Sequence, residues 1–219
     1  GRSLEGGQNA LTGAGYTGKS EAHGLTHGGG RYFGLLELGR ADDAGGGDFS
    51  LIAGVRNSHD RSFPVGLCCG GNVFVCDNLS FSSEIKLARK HTVHVLRDLP
   101  QLIGRAVGML GQLRVKQEGR FLAYKQYEIT DHQAHDLIVR SLDARVLPVT
   151  TIPSVIQEWR NPRHPEFSAG GKTAWRLFNA FTESLKSNLD LLPRRTMALH
   201  GLMDSAVGLL AAPAVQSPA

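Results

Sequence analysis

Residues 49–92, FSLIAGVRNSHDRSFPVGLCCGGNVFVCDNLSFSSEIKLARKHT, constrain the fold more than any other stretch, because apolar runs of strand length alternate there with polar clusters. Runs at 49–55, 63–69, 73–76 and 84–89 are rich in Val, Ile, Phe and Leu, and Gly, Asn, Asp or Ser bound each of them. They read as four strands. Gly70-Gly71-Asn72 reads as the hairpin turn between the second and third. Residues 31–38, RYFGLLEL, supply an earlier strand, and the GRADDAGGGD that follows reads as a flexible loop. The expected result is an antiparallel meander. In its last strand, Ile85 and Leu87 share one face while Glu84 and Lys86 share the other.

From residue 98 the apolar period changes from two to about 3.6. Leu99, Leu102, Ile103, Ala106, Val107, Leu110 and Leu113 repeat at helical spacing, and Asp98 with Gln101 resembles a capping box with Pro100 in the first turn. This long helix is expected to cover one face of the sheet, with a bend or a second helix allowed at Gly119. A second box, Thr130 with Gln133, opens a helix carrying Ala134, Leu137, Ile138, Leu142 and Val146. Further helices are predicted at 154–160, 173–186 and 193–210, with NPRHPE at 161–166 as a rigid connection. The fold class is therefore α+β: an antiparallel β-meander covered by a long helix, with a helical C-terminal half. A Gly-rich arm over 1–30, poor in large apolar side chains, is expected to be mobile. A single domain follows over 31–211, sheet-rich at 31–91 and helical at 92–211, and then a frayed tail at 212–219.

A chain of 219 residues with 41% hydrophobic residues has enough apolar surface for a real core. No run approaches the roughly 18 consecutive apolar residues of a membrane span, and no secretory signal opens the sequence, so a soluble cytoplasmic protein is expected. Cys68, Cys69 and Cys76 are an odd number without metal-knuckle spacing, and they read as reduced, buried thiols. The formal charge of +4 and pI near 9.1 permit contact with nucleic acid but do not require it.

Several motifs lose their apparent chemistry on inspection. Gly170-Gly171-Lys172-Thr173 lacks the glycine that a phosphate-binding loop needs earlier, where Glu166 stands, and Thr173 reads as a helix start. His23 and His27 have metal-ligand spacing, but the glycines around them oppose a helix. The pairs His132/His135 and His91/His94 have no third ligand tied in by spacing, so neither a metal nor a cofactor is expected. Ser58, His59 and Asp60 do not form a local triad, because neighbours on an extended chain point apart. Arg56-Asn57-Ser58-His59-Asp60 reads better as a turn or as a polar lip touching a ligand. Arg56, Arg61, Lys86, Arg89 and Lys90 recur around it, and a sheet edge carrying them would suit a phosphate backbone.

VRNSHDRS, VFVCDN, KHT, WRNPRHPEF, TAWRLFNAFTESLK and RTMALHGLMD together resemble the phage- and plasmid-related proteins grouped as domain of unknown function 932, over about residues 33–210. The resemblance implies a mobile-element setting of DNA replication, recombination or host-defence conflict, and it carries over no catalytic residue. A meander followed by a long helix is also similar in architecture to the single-strand annealing recombinases, although none of their motifs occurs here.

These readings converge on an expectation of single-stranded nucleic-acid binding, DNA above all, by a homo-oligomer with no membrane contact. Arg56, Arg61, Lys86, Arg89 and Lys90 would neutralise phosphates while Asn57 and His59 bond to sugar or base edges. The alternatives are a metal-dependent nuclease or other hydrolase using His59, Asp60, Asp77 and His91, and a non-catalytic protein that binds a host factor. The first expectation requires Arg56, His59, Lys86 and Lys90 to share one surface.

Overall fold

A computed structural model of the chain describes residues 16–26, 28–40, 49–58, 66–73, 78–86, 95–186 and 191–209. The first described strand exists because of a turn. Gly28 and Gly29 take φ values of 64° and 89°, a left-handed pair that glycine adopts without a steric cost. That turn folds β1 (Tyr16–Thr26) back on β2 (Arg31–Arg40), with Thr26 opposite Arg31. The expectation of a mobile arm over 1–30 is thus corrected at Tyr16–Thr26. The glycines that argued for mobility include the two that make the hairpin, and residues 1–15 lie outside the described set.

The remaining strands are β3 (Phe49–Ser58), β4 (Gly66–Val73) and β5 (Asn78–Lys86), and the five-stranded antiparallel sheet runs β1-β2-β3-β4-β5. Gly70, Gly71 and Asn72 are not a hairpin. They lie inside β4, opposite Ile52, Leu51 and Ser50 of β3, and a register shift between Cys69 and Gly70 takes up the irregularity on the β5 side. Likewise the last strand covers Asn78–Lys86 rather than 84–89.

The helical half contains α1 (Val95–Gln126), α2 (Asp131–Asp143), α3 (Ile152–Arg160), α4 (Pro165–Ala169), α5 (Ala174–Leu185) and α6 (Leu192–Ala206). The chain is therefore α+β, a small antiparallel sheet followed by helices. No helix among the described residues is long and apolar enough to cross a membrane. Gly119 does not interrupt α1, and Pro165 does not merely stiffen a connection, because it occupies the first turn of α4, where its missing N–H costs no bond.

By its contacts the chain divides into two compact units, residues 1–117 with 188–193 and residues 118–187 with 194–219. In the first, Tyr16, Leu38, Leu51 and Leu110 are buried together, with Leu36, Ala53 and Leu113 packed around them. In the second, Phe121 and Tyr124 of α1 meet Trp175 and Phe178 of α5 and His200 of α6. Ring centroids there lie 4.7 Å apart for Phe121–Trp175 and 5.0 Å for Phe178–His200. Aromatic contacts of this kind contribute roughly 0.5–1.5 kcal/mol beyond the area they bury.

Local chemistry sets the helix ends. The Thr130 side chain accepts from the backbone of Gln133 and the Gln133 side chain accepts from the backbone of Thr130, the reciprocal box read from sequence. The other end of α2 closes with Arg145 N donating to Leu142 O and Val146 N donating to Ser141 O, each at 2.9 Å. That closure holds Arg145 at φ 57°, where its Cβ is strained. Arg145→Gly is therefore expected to raise stability by about 0.5–1 kcal/mol in chemical denaturation. A destabilised variant would show that the Arg145 side chain contributes more than its backbone costs.

Candidate functional site

Strand register decides which of the basic residues meet. Arg56 on β3 stands opposite Gly66 on β4, and Gly66 stands opposite Lys86 on β5. On its other side Arg56 stands opposite Phe33 of β2. Directly paired residues share a sheet face, so Phe33, Arg56, Gly66 and Lys86 form one row. Two strand spacings put the Cα atoms of Arg56 and Lys86 roughly 10 Å apart, with a residue lacking a side chain between them. Alternation places this row on the face away from Leu51 and Ala53, the positions that pack with Leu110. The same face holds Ile52 and Ser58, which are 2% and 0% exposed, so the row runs beside covered positions.

Asn57 stands opposite Tyr32, one residue on from Arg56, and therefore belongs to the other face. The sheet brings Arg56 and Lys86 together and separates Asn57 from both. His59, Asp60, Arg61, Asp77, Arg89, Lys90 and His91 lie outside the described residues. Among the described residues no three His, Cys, Asp or Glu side chains are grouped to hold a metal ion.

Three polar clusters occur in the second unit. The first absorbs the Gly170-Gly171-Lys172-Thr173 motif. Gly171 turns the chain at φ 78°, Thr173 caps α5 by accepting from Arg176 N, and Ile129 N donates to Lys172 O while Ala174 N donates to Tyr127 O. Lys172 Nζ then donates to Asp131 Oδ2 at 2.6 Å, and Trp159 Nε1 donates to Asp131 Oδ1 at 3.0 Å. Every group that might have cradled a phosphate is a turn, a cap or one partner of an ion pair. Arg176 is spent similarly, donating to the carbonyls of Trp159 and Arg160 at the end of α3 and lying over the Trp159 ring.

The second cluster lines a surface groove of about 660 Å³ that includes Ser154, Gln157, Glu158, Arg163, Glu183 and Lys186. Arg163 bridges Glu158 at 2.7 Å and Glu183 at 3.3 Å, and Lys186 reaches the other oxygen of Glu183 at 2.6 Å. Two carboxylates and two cations balance, so the groove presents no unmatched charge to a ligand.

The third cluster is buried. Arg120 donates from Nε and Nη2 to both oxygens of Asp204, at 2.8 Å for the shortest contacts, and the Tyr124 hydroxyl donates to Asp204 Oδ1 at 2.6 Å. Burial, then the hydrogen bond to Asp204, pushes the Tyr124 phenol far above its ordinary value, so it remains a donor. Arg120, Tyr124, His200 and Asp204 are at most 7% exposed, which makes this a fastening between α1 and α6 rather than an open site. Sequence reasoning missed it because 84 residues separate Arg120 from Asp204 and no motif links them.

Asp204→Asn leaves the Arg120 guanidinium buried opposite a neutral amide and is expected to cost about 3–5 kcal/mol, whereas Arg120→Met with Asp204→Leu should recover most of that loss. Equal denaturation midpoints for the single and double variants would contradict this account. Lys172, and after it Trp159, hold the Asp131 carboxyl below the usual carboxylate range. The resulting stabilisation is present above the unfolded carboxylate pKa of about 4 and disappears as pH falls through the lower folded value. The stability gap between the wild type and Asp131→Asn should therefore narrow on acidification below that point, and a gap that stays constant with pH would exclude the ion pair as its source.

No protein-family model matches the chain, and searches of curated proteins and of solved structures return no match.

Proposed function

We propose that the chain binds single-stranded nucleic acid, DNA above all, through the end of the sheet that carries Arg56 and Lys86. One observation supports this reading best: the two cations occupy a single sheet row, with Gly66 between them. A phosphate backbone running across the strands would meet a positive charge at each end of that row, and the missing side chain at Gly66 leaves room for a sugar or base between them. Phe33 stands in the same row by register, in a chain with 7% aromatic residues. In this reading the part of α1 that lies in the first unit, with Leu110 and Leu113, covers the other sheet face. Arg61, Arg89, Lys90 and His59, which lie outside the described residues, are the further candidates for phosphate and base contacts in this reading, and the setting is the mobile-element one that the sequence resemblance implies. An annealing role would follow from holding a strand with its bases accessible.

Fluorescence anisotropy with single- and double-stranded oligonucleotides at two salt concentrations tests the reading directly. Affinity is expected to fall as salt rises, and Arg56→Ala and Lys86→Ala should each flatten the log–log salt slope by about 0.7, the value for one single-strand phosphate contact. Lys116→Ala, at an exposed position on α1, serves as the control and should leave the slope unchanged. An absence of binding at low salt, or wild-type slopes in both row variants, would remove the proposal. Shortening of the oligonucleotide during the titration would instead favour a hydrolase built on His59, Asp60, Asp77 and His91.

A further inference from the structure

The sheet departs from regular pairing only at its two edges. β2 pairs with β3 without interruption from Arg31–Ser58 to Leu38–Leu51, and β3 pairs with β4 without interruption from Phe49–Val73 to Arg56–Gly66. On β1, Gly18 stands opposite Leu38 and Ser20 opposite Glu37, so Lys19 is an extra residue in the ladder. On β5, Phe81 stands opposite Gly70 and Ser83 opposite Cys69, so Ser82 is the extra residue there. Each shift is a bulge, and in both cases the edge strand carries the added residue. Among the described residues β1 and β5 each pair on one side only.

A regular edge strand offers an unbroken row of N–H and C=O groups to any other strand. β1 has 11 residues and β5 has 9, against about 5–6 for a mean strand, so both edges would be long templates if they were flat. A bulge bends the strand, increases its local twist and interrupts the row. We propose that the two bulges guard the sheet against extension, edge to edge, by the sheet of a second copy of this chain. A flat edge is complementary to itself, because two copies of one strand pair antiparallel about a two-fold axis. A second copy is therefore the partner that a flat β1 or β5 would recruit, and the bulges at Lys19 and Ser82 are what deny it a continuous ladder.

Deleting the extra residues tests this without changing the register. With Lys19 removed, Gly18 and Ser20 become neighbours opposite Leu38 and Glu37, which are neighbours already, so every other residue of β1 keeps its partner and its face. Removing Ser82 does the same for Phe81 and Ser83 against Gly70 and Cys69. Sedimentation velocity of the full chain over a wide concentration range, with thermal unfolding recorded for every variant, reads the outcome. Deletion of Lys19 opens one edge and should give a species of twice the wild-type mass and nothing larger, since a two-fold contact closes on itself. Deletion of Ser82 alone should do likewise. The double deletion opens both edges and should give species whose mass keeps rising with concentration. Lys19→Ala retains the bulge without the charge and should sediment as the wild type does. Wild-type sedimentation in all three deletion variants, or a lowered melting temperature with no change in mass, overturns the proposal. So does growth beyond twice the wild-type mass in either single deletion, or association of the Lys19→Ala variant.

Discussion

A buried guanidinium has to be matched, and in the second unit Asp204 is what matches Arg120. Removing a carboxylate and a guanidinium from water costs several kcal/mol per ion unless short, well-directed bonds replace the lost hydration. The two bonds from Arg120 and the bond from Tyr124 occupy both oxygens of Asp204. The last turns of α1 and the end of α6 are held at one distance by this requirement, and the ring contacts of Phe121, Phe178 and His200 form around them. Hydrophobic burial alone would tolerate sliding between these helices. Three directed bonds to one carboxylate do not.

The features legible in the sequence were those whose cause is local. Thr130 and Gln133 satisfy each other across three residues, Thr173 caps the helix it precedes, and the 3.6-residue period of α1 needs no distant partner to be recognised. What escaped depends on residues that meet only after folding, or on glycines with two opposite uses. In HGGG at 27–30 glycine enables a hairpin, whereas in GGN at 70–72 it continues a strand that is supported from both sides by β3 and β5. Composition alone assigns the two runs the wrong way round. The same limit applied to the candidate site. Alternation separated Lys86 from Ile85, but the separation of Arg56 from Asn57 and the alignment of Arg56 with Lys86 through Gly66 appear only once β3 is seen to continue to Ser58 in a fixed register, which the alternation of one strand cannot supply.

The two units also divide the chemistry. Polar groups in the helical unit are largely spent on one another: Lys172 on Asp131, Arg163 on Glu158 and Glu183, Arg176 on the end of α3. This explains why a motif that looked like part of a nucleotide loop carries no such role. Paired cations contribute little to the attraction of a distant anion, because the field of each pair falls off much faster than that of a single charge. On the sheet, Arg56 and Lys86 stand in one row through Gly66, with Glu84 two residues from Lys86 on the same strand, and the proposed reading rests on that row.

The four-residue connection between Thr26 and Arg31 has a consequence for how this chain tolerates change. Inward and outward positions alternate along β1 on either side of a register shift between Gly18 and Ser20, so the count of residues in that connection, together with that shift, determines that Tyr16, and not its neighbour Thr17, enters the core beside Leu38 and Leu51. Lengthening it by one residue would turn the whole strand over, presenting a phenol ring to solvent and a hydroxyl to the aliphatic cluster. Drift in sequence along β1 is cheap by comparison, whereas drift in length at its end is not.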